Sequence, residues 1–152
     1  MSGDKDHYFP LIMKSIHAKL TELVETFDLL GDWEERYRYV IELGRDLKPL
    51  SEDERSQTNK VIGCASQVWL VTEPMPDGTL SFRGDSDAHI VKGLIAVLLY
   101  LVSDQTPAAI LEFDAKAGFE RLDLAGHLSA QRSNGLASMV ARIRRDAGAT
   151  EN

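Results

Sequence analysis

One segment constrains this chain more than any other. From about Ala88 it carries Ile90, Val91, Leu94, Ile95, Val97, Leu98, Leu99, Leu101 and Val102. Those residues cover nearly every direction around a helix, so the segment reads as a helix buried on all sides. The apolar run from Gly93 to Val102, flanked by Lys92 and Asp104, is too short to span a bilayer. Other elements must therefore wrap it. A chain of 152 residues is long enough to do so within one domain, 1–152.

Two helices are expected before it. Residues about 10–30 place Ile16, Leu20, Leu23, Val24 and Phe27 on one face, with Gly31 as the stop. Asp32-Trp33-Glu34-Glu35 opens the next, with Asp32 as cap and Glu35 able to reach back as in a capping box. Trp33, Tyr37, Val40, Ile41 and Leu47 line one side of it. Gly44 weakens that helix and suits a close approach by another element. Lys48-Pro49-Leu50 ends it, and Ser51 caps a short acidic turn.

The middle of the chain changes period. Lys60-Val61-Ile62 fits a short strand, Gln67–Glu73 a better one, and Thr79–Arg83 alternates as a half-buried strand does. Pro74-Met75-Pro76-Asp77-Gly78 is the turn between the last two. Gly84-Asp85-Ser86-Asp87 reads as the end of the sheet and the cap of the buried helix. Beyond that helix, Thr106-Pro107 starts another, Phe113–Leu124 reads as a short helix and loop, and a last helix runs from about Arg132 or Ser133 to Ala147. Arg142, Arg144 and Arg145 suit its C-terminal end. A frayed tail is expected from about residue 148. Helices, then strands, then helices make an α+β fold, with a small antiparallel sheet of about three strands packed against several helices.

Charge excludes some functions. Seventeen Lys and Arg against 24 Asp and Glu give a net charge of −7, which disfavours nucleic acid and anionic membrane as partners. The polar start Met1-Ser2-Gly3-Asp4-Lys5-Asp6 leads into no signal-peptide core, and one cysteine makes no internal disulfide; both point to the cytoplasm.

That cysteine, Cys64, follows Gly63 and precedes the strand-like Val68-Trp69-Leu70-Val71, which puts it on a bend before a strand. Its chemical reading is a nucleophile or sulfur carrier. Its plain reading, the commoner one for the residue type, is a buried packing cysteine. His127 and Arg132 can each favour a nearby thiolate, or else belong to a loop and helix start capped by Ser129 or Ser133. Asp85 and Asp87 read as capping residues rather than an acid–base pair. His7, His17, His89 and His127 show no metal-site spacing. There is no phosphate loop, no G-x-S-x-G elbow and no CxxC.

Four blocks occur in order: Asp32-Trp33-Glu34-Glu35-Arg36-Tyr37 with Ile41-Glu42-Leu43-Gly44; Gly63-Cys64-Ala65-Ser66-Gln67-Val68-Trp69; Gly84-Asp85-Ser86-Asp87-Ala88 through Leu94; and His127-Leu128-Ser129 with Arg132-Ser133-Asn134-Gly135-Leu136. With them the chain resembles the SufE family, the sulfur acceptors of cysteine desulfurases in iron–sulfur cluster assembly, over about residues 32–143. The resemblance implies that Cys64 carries a persulfide and that the partners are a SufS-like desulfurase and a SufBCD-like scaffold. It implies no cofactor on this chain, since PLP belongs to the desulfurase. Arg132 and His127 become candidates for stabilising the anion or touching the partner. A CsdE-like role beside another desulfurase stays open, as do a purely allosteric activator with a structural Cys64, a cysteine hydrolase using Cys64 and His127, and a monomeric or homodimeric state.

Overall fold

The structure, a computed structural model, describes residues 14–151. The expected start of the first helix near residue 10, the polar segment 1–6 and His7 lie outside them. Among the described residues are six α-helices and two strands, in the order α1 (Ile16–Leu29), α2 (Trp33–Arg45), β1 (Val68–Pro74), β2 (Leu80–Ser86), α3 (His89–Val102), α4 (Pro107–Glu112), α5 (Ala115–Arg121), a 3-10 turn (Ala125–His127) and α6 (Ala130–Glu151).

The caps expected at Asp32 and Thr106 form, and Ser15, which carries no expectation in the sequence, caps the first helix. Ser15 Oγ accepts from Ala18 N, Asp32 Oδ1 from Glu35 N, and Thr106 Oγ1 from Ala109 N. Glu35 reaches back one residue further than a standard capping box, to the backbone N–H of Gly31 at 2.9 Å. α1 buries Ile16, Leu20, Leu23 and Phe27.

Helix α3 is the core. Ile90, Leu94, Ile95, Val97, Leu98, Leu99, Leu101 and Val102 are all buried in it, each worth roughly 1.5–3 kcal/mol of transfer free energy. α2 crosses α3 backbone to backbone. A Cβ added to Gly44 would lie 2.5 Å from the Gly93 nitrogen, and one on Gly93 would lie 2.3 Å from the Val40 carbonyl oxygen. The close approach expected of Gly44 is thus a contact between two glycines on facing helices.

The sheet is smaller at one edge than the sequence implies and longer at one strand. Two strands pair antiparallel, with Val68 opposite Ser86 and Pro74 opposite Leu80. The expected third strand at Lys60-Val61-Ile62 is reduced to one bridge, Lys60 to Trp69, flanked by Val61 N–H to the Val68 carbonyl and Leu70 N–H to the Asn59 carbonyl, both at 2.8 Å. The turn at Ile62-Gly63 takes the chain away before the pairing can extend. β2, by contrast, runs through Gly84 and Asp85 to Ser86 instead of ending at Arg83.

Asp85 is therefore no cap. It is 1% exposed, and its carboxylate accepts from Arg55 Nη2 at 2.7 Å, Ser86 N at 2.8 Å and Leu50 N at 3.4 Å, with Lys92 Nζ at 3.5 Å. Burial pushes this carboxyl up, but those donors and the Lys92 charge outweigh it and hold it below its ordinary value. Helix α3 starts at His89, with Ala88 at the cap position and no side-chain cap bond.

The last helix begins at Ala130, two or three residues before the start expected at Arg132 or Ser133, because Ser129 Oγ accepts from Arg132 N at 3.2 Å. It continues to Glu151. Thr72 Oγ1 on β1 donates to Asp146 Oδ2 at 2.7 Å, and Arg144 Nη1 donates to the Leu111 carbonyl at 2.7 Å, so α6 is tied to both the sheet and α4.

Candidate functional site

Cys64 stands on a short loop between the Lys60 bridge and β1. Gly63 holds φ at +99°, a conformation other residues rarely adopt, which turns the chain there. Both ends of the loop are anchored. Arg142 of α6 donates to the carbonyls of Thr58 at 3.2 Å and Lys60 at 3.4 Å. At the other end, Gln67 N donates to Asp87 Oδ1 at 3.1 Å, and Asp87 N donates to the Gln67 carbonyl at 3.3 Å.

Between these anchors the thiol leans on α6. Cys64 is half-buried and free, and its Sγ donates to the Gly135 carbonyl at 3.5 Å. It faces a cavity of about 300 Å³. Val68, Val91, Leu94, Leu136 and Met139 give that cavity apolar walls, while Ser66, Ser129, Gln131 and Arg132 add polar ones. Burial pushes the thiol up from its ordinary value. The hydrogen bond to Gly135 favours the protonated form as well. The site at rest stores a thiol, shielded on one side, rather than a thiolate.

Arg132 lines the same cavity as Cys64, as the sequence places it. His127 does not. Its ring stacks on Trp33, with centroids 4.0 Å apart and planes 11° from parallel, and its Nε2 lies 3.6 Å from Asp123 Oδ2. Asp123 also meets Arg36 at 3.5 Å. The stack holds the start of α2 against the turn before α6, so His127 itself meets the aromatic block, while the rest of its block, through Arg132 and Gly135, reaches the thiol. Among the described residues no three His, Cys, Asp or Glu side chains are grouped to hold a metal ion, and no helix is long and apolar enough to cross a membrane.

Two residues that touch or hold the loop carry no sequence signal for that role. Gly135 sits in a block quoted for resemblance, and in the fold its carbonyl accepts from the Cys64 thiol. Arg142 reads as a cation suited to a helix C-terminus, yet its guanidinium bonds two carbonyls of the distant loop as well as Asp146 one turn on.

Comparison with known proteins agrees with this architecture. Residues 21–147 match the family model for SufE, described as an Fe-S metabolism associated domain. A SufE-like protein of Rhizobium etli is 52% identical over 133 residues, 86% of this chain and 90% of the relative. One from Rhizobium meliloti is 48% identical over 133 residues, 86% of this chain and 95% of the relative. Among solved structures, a hypothetical protein from Thermus thermophilus superposes with a TM-score of 0.72 at 19% identity, over 87% of this chain and 95% of that one, which attests the fold. On the family model and on relatives near half identical over most of their length, this chain belongs to the SufE family of proteins associated with Fe–S metabolism.

Proposed function

We propose that this protein is a cytoplasmic sulfur carrier that accepts sulfane sulfur from a PLP-dependent cysteine desulfurase onto Cys64, stimulates that enzyme by doing so, and delivers the sulfur to an iron–sulfur scaffold. The observation that carries the reading is the placement of the chain's one thiol on a glycine-turned loop, anchored at both ends and tucked against a cavity. A packing cysteine has no need of such a loop.

In the transfer, the Cys64 thiolate attacks the outer sulfur of the partner's cysteine persulfide. A bond forms between Sγ of Cys64 and that sulfur, the partner's S–S bond breaks, and the partner's cysteine leaves as its thiolate. Sulfur changes hands with no external oxidant or reductant. At rest, burial and the Gly135 carbonyl keep Cys64 protonated, so acceptance requires the loop to leave α6 and enter the partner's site, where the thiol can ionise. Retreat to the cavity would then protect the persulfide from small thiols. Arg132 lines that cavity, and in this reading it meets the charged sulfur there.

The experiment compares desulfurase turnover with wild-type chain and with Cys64→Ser. A carrier loses its stimulation with the thiol. A serine variant that stimulates fully would make this chain an allosteric activator instead.

A further inference from the structure

The Cys64 loop lies along one stripe of α6. Gly135, Ser138, Arg142 and Arg145 recur at three- and four-residue spacing and so share a helix face. Cys64 rests on Gly135, a Cβ at Gly63 would lie 2.5 Å from Ser138 Oγ, and Arg142 holds the Thr58 and Lys60 carbonyls. At the far end of this stripe a groove of about 430 Å³ opens between loop and helix. Lys60, Ile62, Ser138, Arg142 and Arg145 are among its walls, and among the described residues no Asp or Glu is. Asp146 bonds to Thr72 and Arg142 and lies 4.0 Å from Nε of Arg145, whose side chain stays largely exposed, and it is not a lining residue.

Two features of this groove belong to a docking surface. Ile62 is 76% exposed although it stands two residues from the thiol. The cations around it contrast with a chain whose net charge is −7.

We propose that this groove docks the sulfur donor, and that the donor meets it with a segment that sets carboxylates around an apolar contact for Ile62. The inference rests on the carrier reading of Cys64 and adds the chemistry of the surface that delivers it. An acidic partner is repelled by most of this chain and attracted here, so the encounter is oriented with Cys64 foremost. Ile62 supplies the desolvated contact that a purely ionic encounter lacks.

The test measures binding rather than sulfur transfer. Full-length chain bearing Cys64→Ser is titrated with a purified PLP-dependent cysteine desulfurase, alone and with Lys60→Glu plus Arg145→Glu, or with Ile62→Asp. Arg142 is left in place because it holds the loop. Kd rises about tenfold or more in each variant, and the charge-reversal effect shrinks as salt goes from about 0.05 M to about 0.5 M. In chains that keep Cys64, the same substitutions leave its labelling by iodoacetamide unchanged, which shows that the loop is undisturbed. Unchanged affinity overturns the docking proposal and leaves the carrier reading standing. So does a change in self-association without a change in desulfurase affinity, which assigns the groove to a second copy of this chain. Weakened binding by the variants, beside a wild type that accepts no sulfur, keeps the docking surface and sinks the carrier.

Discussion

The Cys64 thiol and the Gly135 carbonyl face each other across 3.5 Å, one on a loop and the other inside a helix. Cys64 rests on a face of α6 where Gly135 presents no side chain. A Cβ there would meet Cys64 Sγ at 3.6 Å and its Cβ at 3.8 Å, ordinary contact distances, so alanine fits, while a leucine must extend further toward the loop.

This relationship is open to substitution. Gly135→Ala keeps the loop closed and adds up to about 1 kcal/mol of helix stability. Gly135→Leu drives the loop off the helix, and iodoacetamide labels Cys64 at least severalfold faster. Equal labelling rates in the two variants would show that the loop does not rest on this position.

Cys64 titrates late in the isolated protein. Burial raises its folded pKa above the ordinary 9.0, so the labelling rate climbs with a midpoint above that value. The folded chain binds this proton more tightly than the unfolded chain. Its contribution to stability is therefore full below the unfolded pKa and fades as pH rises through the folded one. Labelling against pH, with and without denaturant, reads both values, and a lower midpoint in the folded chain would contradict the account.

Much of the fold was legible because its signals are local. The apolar girth of α3, the caps at Asp32 and Thr106, and the glycine turn before Cys64 each depend on residues within a few positions of one another. What stayed illegible depends on partners far apart in sequence. Asp85 looks like a cap beside Ser86 and Asp87, and only the fold brings Arg55 and Lys92 to it. The Lys60 segment has strand composition, but the turn at Gly63 decides how much of it pairs. Within the site, Cys64 and Arg132 were readable by residue type and block. His127 is not brought to the thiol, because a histidine is as good an aromatic partner for Trp33 as a base for a thiol. Gly135 and Arg142 act through backbone carbonyls, which sequence does not distinguish.

The α2–α3 crossing tolerates no side chain. Gly93→Ala forces a Cβ against the Val40 carbonyl at 2.3 Å, where backbone must move, and costs about 2–3 kcal/mol in denaturant unfolding. A loss below about 0.5 kcal/mol would mean that the helices separate easily.

A surface cluster responds to acid. Arg83 on β2 donates to both oxygens of Glu54, at 3.0 and 2.5 Å, and to Glu73 on β1. Chiefly through Arg83, the Glu54 carboxyl is held down to about 2. Its contribution to stability is thus complete above the ordinary carboxyl range and is lost as pH falls through about 2. Glu54→Gln melts below wild type at neutral pH, and the two curves converge toward pH 2. A gap that does not narrow with acid would assign the effect to packing.

The central claim is that sulfur resides on Cys64, and intact mass reads it directly. The purified chain is incubated with a cysteine desulfurase, PLP and L-cysteine, beside its Cys64→Ser variant. The account predicts an added mass of one or a few sulfur atoms, removed by reductant and absent from the variant. An unmodified wild type under conditions where the desulfurase turns over, or the same adduct on Cys64→Ser, would contradict it.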